Sequence, residues 1–142
     1  MTVLRIGTTA LQIPEGVDAK LLSDAAHAAA VAAFVRLSPD RCVYHTPAYI
    51  EFARAQNGVA DILLLERGGR PLLALPLHPY GGAFHRTGYS GMLFAASNSE
   101  PVLGSAIEAL QSVFTAHPHF CYAAIQSARA TPSENPAPAP PL

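Results

Sequence analysis

The residues richest in chemistry run from Phe84 to Gly91, Phe-His-Arg-Thr-Gly-Tyr-Ser-Gly. Glycines let a backbone approach a ligand closely, and successive free N–H groups can cradle an anion. A guanidinium such as Arg86 pairs with a phosphate or carboxylate through a planar fork of donors. The spacing Arg-x-Gly-x-x-Gly is neither the dinucleotide fingerprint nor the phosphate loop of nucleotide-binding enzymes. A serine-hydrolase elbow requires Gly-x-Ser-x-Gly, and here Met92 stands where the second glycine is needed. Two readings remain open. The segment lines a cleft, with Arg86, Gly88, Tyr89, Ser90 and Gly91 as substrate-binding positions, or it is a glycine-rich strand and turn beside a hairpin.

The other chemistry-bearing side chains are scattered. Six histidines are present (His27, His45, His78, His85, His117 and His119), and none falls in an HExxH pattern. No metal is expected. Asp61 and Glu66 stand at the two ends of one strand-like run and read as solvated carboxylates, not as an acid–base pair. Cys42 and Cys121 match no metal spacing and read as two free thiols in a reducing compartment.

Composition narrows the classes. The 142 residues allow one domain, and half of them are hydrophobic, which is enough for a core at this size. A net charge of −1 with no run of Lys and Arg argues against a nucleic-acid surface. The start lacks the apolar block of a secretory signal. The longest apolar stretch, Ala25 to Val35, is broken by His27 and is too short to span a bilayer. A cytoplasmic protein is expected.

The elements that must position these residues follow from periodicity and punctuation. Val3 to Ile6 reads as a short strand stopped at Gly7. Leu21, Ala25, Ala28, Ala32 and Val35 recur at helical spacing, which predicts a helix over about Val17 to Leu37, ended by Ser38-Pro39. Thr46 followed by Pro47 marks the cap and first position of a second helix. Its buried stripe is expected at Tyr49, Phe52 and Ala53, and its stop at Asn57-Gly58. Val59 to Glu66 and Leu72 to Leu77 read as strands joined by the turn Arg67-Gly68-Gly69-Arg70. The continuous run Ile62 to Leu65 predicts burial on both faces. Pro76 predicts an edge position or a bulge. A strand is expected around Phe84 to Tyr89. A further helix follows, capped at Ser99, with a stripe at Val102, Ala106, Ala109, Leu110 and Val113. His117-Pro118 ends it, and Phe120 to Ile125 reads as a final strand. Residues 1–129 are thus expected to form one α/β (α+β) domain. Residues 130–142 form a proline-rich tail with too little apolar surface to order itself.

Tyr44-His45-Thr46-Pro47-Ala48-Tyr49 with Phe52, then Leu63-Leu64-Leu65, Gly69, Pro71 and Leu75-Pro76-Leu77, then Tyr89-Ser90-Gly91-Met92-Leu93-Phe94, together resemble FemAB-like proteins. These are GNAT-fold acyltransferases, including the CelD-type group, and the resemblance covers about Cys42 to Ser127. It implies a mixed, largely antiparallel sheet flanked by helices, in which a helix leads to a strand, a glycine turn, a second strand, a glycine-containing segment and a helix. It also implies transfer of an acyl or aminoacyl group to a small-molecule or peptide amine, with an acyl-CoA or aminoacyl donor. His45 joins the substrate-binding candidates through it. The pyrophosphate signature of GNAT folds is absent, and FemAB-like proteins join two such halves. The resemblance therefore implies an incomplete unit that acts as a homodimer or with a companion chain. The alternative is a non-catalytic binding module that keeps the fold. An unpaired sheet edge at the expected last strand would favour pairing.

Overall fold

A computed structural model describes residues 2–38, 41–80, 83–85, 93–94 and 100–129. The chain opens with two strands, β1 (Thr2–Ile6) and β2 (Thr9–Ile13), paired antiparallel as a hairpin of their own. Gly7, at φ 63°, makes this tight reversal possible. The sequence reading stopped at that glycine and missed β2. Its signal is nevertheless there, since Thr9, Leu11 and Ile13 alternate and are all buried.

The main sheet holds β3 (Asp18–Leu21), β4 (Asp61–Arg67), β5 (Arg70–Tyr80) and β6 (Ala83–His85) in that spatial order. A further short strand, β7 (Leu93–Phe94), pairs with β5. Among the described residues every ladder is antiparallel. The described residues also form four helices: α1 (Ala28–Leu37), α2 (Pro47–Asn57), α3 (Glu100–Val113) and α4 (Pro118–Arg129). A 3-10 turn (Val43–His45) leads into α2. The α+β architecture expected from sequence is therefore present.

The sheet is covered on both sides. Val31 and Val35 of α1 and Ile50 and Ala53 of α2 pack on Ile62, Leu64 and Ala74. Leu63, Leu65, Leu73, Leu75 and Leu77 point the other way and meet β1–β2, α3 and α4. Successive side chains of a strand face opposite sides, so the run Ile62 to Leu65 supplies both cores. All four of its side chains are at most 1% exposed.

Three expected elements are corrected. The helix foreseen from Val17 starts only at Ala28, because Asp18–Leu21 is β3, in register with Leu63 to Glu66. Val17 and Leu21 are four apart, which suits a helix, but with the partly buried Ala19 between them they also alternate as in a strand. The edge of β4 decides in favour of the strand. Phe120 to Ile125 belongs to helix α4. Its buried residues, Phe120, Cys121, Ala124 and Ile125, have helical spacing, and Tyr122 is exposed. Pro118 begins this helix as well as following α3. On α2 the buried stripe is Ile50 and Ala53, while Phe52 is 58% exposed.

Other details match the sequence. Thr46 Oγ1 accepts from the Tyr49 N–H at 3.1 Å, with Pro47 at the first turn. Gly58, at φ 89°, ends α2. Gly68 and Gly69 take φ 58° and 77° in the β4–β5 turn. Pro76 stands opposite Ile62, and on the other side of β5 it falls between the residues paired with β7 and those paired with β6. The register shift of the β4–β5 ladder lies at Leu65/Glu66 instead.

Candidate functional site

Arg86, Gly88, Tyr89, Ser90 and Gly91 lie outside the described residues. What the fold fixes is the pair of strands on either side of them, β6 and β7. Both pair with β5, with His85 opposite His78, and Leu93 and Phe94 opposite Ala74 and Leu73. His78 and Ala74 are four residues apart on β5, a separation of roughly 13 Å along an extended strand. The two anchors of the candidate segment are therefore set by one rigid strand.

The β6 anchor is locked by aromatic packing. Phe84 meets Phe114, in the turn just after α3, at 5.6 Å, Phe120 of α4 at 5.8 Å and the His117 ring at 4.9 Å, edge to face in the last case. Phe114 and Phe120 are themselves 5.3 Å apart. Edge-to-face and tilted ring pairs of this kind add to plain burial. Two residues before Arg86 the chain is thus tied to α4 and to the turn that joins it to α3. His78, on β5, is 5% exposed, and burial pushes its imidazole below the ordinary histidine value. It is a neutral ring at neutral pH.

His45 is the one sequence-stated site residue within the described part. It is 2% exposed. Its Nδ1 accepts from the Cys42 N–H at 3.0 Å, and the Cys42 thiol lies 3.4 Å from the same nitrogen. An accepting Nδ1 places the ring proton on Nε2. The imidazole thereby closes the 3-10 turn that delivers the chain to Thr46 and α2. Burial raises the Cys42 thiol above its usual range, which favours the thiol over the thiolate. Cys121, a second buried free thiol, is also raised by burial.

Asp61 and Glu66 were expected to be solvated, and both are buried, at 4% and 6% exposure. Asp61 Oδ1 accepts from the N–H groups of Ser23 at 3.0 Å and Ile62 at 2.9 Å, and Oδ2 accepts from the Ser23 hydroxyl. Arg54 reaches from α2, its Nη2 3.8 Å from Asp61 Oδ1 and its Nε donating to the Ala60 carbonyl at 2.8 Å. This cluster ties the end of β3, the end of α2 and the start of β4 together. Glu66 pairs with Lys20 at 2.8 Å across the β3–β4 ladder. The donors and the cation around each buried carboxylate offset the cost of removing it from water. Sequence reasoning missed both because it read each carboxylate from its own strand. For Glu66 the signal was Lys20, visible only once Asp18–Leu21 is a strand; for Asp61 it was Arg54 of α2 and Ser23 just after β3.

Chemically, the described residues provide a frame more than a reaction centre. Their two buried carboxylates, Asp61 and Glu66, and their Cys–His pair are engaged in holding the fold together. No group of three His, Cys, Asp or Glu among them is placed to hold a metal ion. No helix among them is long and apolar enough to cross a membrane. No protein-family model, no curated protein and no solved structure matches the chain.

Proposed function

We propose that the chain is a GNAT/FemAB-like acyltransferase half domain that moves an acyl or aminoacyl group to a small-molecule or peptide amine and is completed by a second half or subunit. One observation carries the reading. Helix α2, strand β4, the Gly68-Gly69 turn, strand β5 and helix α3 follow one another on an antiparallel sheet, in the order that the resemblance requires. The donor is an acyl-CoA or an aminoacyl donor, taken as substrate. The cytoplasm suits both such a donor and the two buried thiols.

In such a transfer the amine lone pair attacks the donor carbonyl. A C–N bond forms, the donor's C–S or C–O bond breaks, and the amine proton leaves to a base. The developing oxyanion requires preorganised N–H donors. The candidate donors are the backbone groups around Gly88 and Gly91, with Arg86 for the donor's anionic part.

Calorimetric titration of the folded chain with acetyl-CoA tests the proposal. Binding is expected, lost in Arg86→Ala and kept in His85→Ala. Absence of heat from a folded sample at high protein concentration would sink it. That outcome would favour the second reading, a non-catalytic binding module. The engagement of Cys42, His45, Asp61 and Glu66 in structural contacts supports this alternative.

A further inference from the structure

The fold leaves a row of aromatic rings on its surface at the start of α2. Tyr44 and Tyr49 meet edge to face at 4.9 Å, and Tyr49 and Phe52 lie 6.1 Å apart. Phe52 is 58% exposed, and the two tyrosines are half-buried. Thr46, capping α2, and the His45 turn fix the backbone that carries the tyrosines, and Tyr49 also packs against the core. Closely spaced surface rings are what proline-rich segments recognise. Proline is already restricted to an extended backbone and lays its ring on an aromatic face.

The chain carries such a segment. Residues 131–142 read TPSENPAPAPPL, with prolines at 132, 136, 138, 140 and 141 and no Lys or Arg. The layers of the fold set how far the segment must travel to meet the rings of its own chain. α4, which leads into this segment, packs on the sheet face of Leu63 and Leu65, while α2 packs on the opposite face, that of Ile62 and Leu64. Crossing from outside one helix layer to outside the other takes roughly 30 Å straight through, and more around an edge. Pro136 to Pro141 follow Arg129 by seven to twelve residues, a reach of at most about 22 to 37 Å at the rise of an extended proline-rich chain. Nearly all of that length would be spent on reaching the rings of its own chain.

We infer that the Tyr44–Tyr49–Phe52 row is a docking surface for the proline-rich segment of a second copy of this chain, so that two copies exchange segments reciprocally. The inference does not depend on the acyltransferase reading. A reciprocal exchange also makes the association isologous, which closes at two copies.

The chain has no tryptophan, so Phe52→Trp is a single-emitter reporter at the centre of the surface. The full chain carrying it is compared with the same chain in which Pro136, Pro138, Pro140 and Pro141 are serine. Folding of both is checked by circular dichroism. Mass is read by light scattering. The expected result is a dimer with blue-shifted emission, and a monomer with red-shifted emission once the prolines are replaced. Emission and mass that ignore the proline changes overturn the inference. A proline-dependent emission in a monomer also overturns it, because the segment then reaches its own chain. A dimer that survives the proline changes places the association elsewhere and overturns it too.

Discussion

His78 sits inside the sheet on β5, where burial holds its imidazole neutral. An unfolded chain has no such constraint and takes up a proton as the pH falls through about 6.5. The folded state resists that proton, so stability is complete above the unfolded pKa and is lost as the pH drops below it. His78→Gln removes this proton linkage. Urea unfolding at pH 7.5 and at 5.5 should show the parent chain losing more stability than the variant, by up to about 1.4 kcal/mol per pH unit. Equal losses in the two proteins would mean that His78 is protonated with no penalty. The same principle separates the side chains that sequence could assign from those it could not. His45, Asp61 and Glu66 have types suited to catalysis. Their neighbours in space, Cys42, Ser23, Arg54 and Lys20, turn them to structural use. Only the Cys42–His45 pair is local in sequence. The others depend on the β3–β4 and α2–β4 contacts, which span some forty and seven positions respectively.

Among the elements, α2 was the most legible because its signals are local and chemically distinct: Thr46 as cap, Pro47 in the first turn, Gly58 as stop. Thr46→Ala should cost about 1 kcal/mol, since the Tyr49 N–H loses its acceptor. Thermal or urea unfolding measures it, and an unchanged midpoint would show the cap to be redundant with the Pro47 turn. The β4–β5 hairpin was equally plain from its paired glycines. The failures have physical reasons. Val17 to Leu21 satisfies both periods, and only its pairing with β4 selects the strand. Phe120 to Ile125 is too short a run to separate by hydrophobicity alone, yet Pro118 in first position and the exposed Tyr122 are helix signs. Phe52 was placed in the core by its type, whereas Ile50, three before Ala53, holds that place. The candidate segment from Arg86 to Gly91 was marked by composition alone. The fold adds its two anchors on β5.

At the scale of the molecule, one sheet separates two cores that share no side chain, because adjacent residues of β4 and β5 face opposite ways. Ile50 belongs to one core and Ile125 to the other. Ile50→Val and Ile125→Val should each cost about 1 kcal/mol, and the double variant should lose their sum to within about 0.5 kcal/mol. Unfolding should nevertheless remain a single transition, since the same backbone ladders serve both faces. Coincident fluorescence and circular-dichroism curves check the second claim, and the double-variant cycle checks the first. A coupling well above that margin would mean that the sheet transmits packing strain from one face to the other.

The short glycine turn between β4 and β5 has a consequence for the order of assembly. Two residues close that hairpin, whereas 39 residues, from Leu22 to Ala60, separate β3 from β4. Chain statistics set the difference in closure cost on the order of 2–3 kcal/mol in favour of the hairpin. The hairpin is therefore expected to be the seed on which β3 and the helices condense. Once it stands, Asp61 and Glu66 at the two ends of β4 are already spaced to receive Ser23 and Lys20. The buried charges then act as register marks, because β3 slipped by one residue would turn Lys20 to the other face and leave Glu66 without its cation.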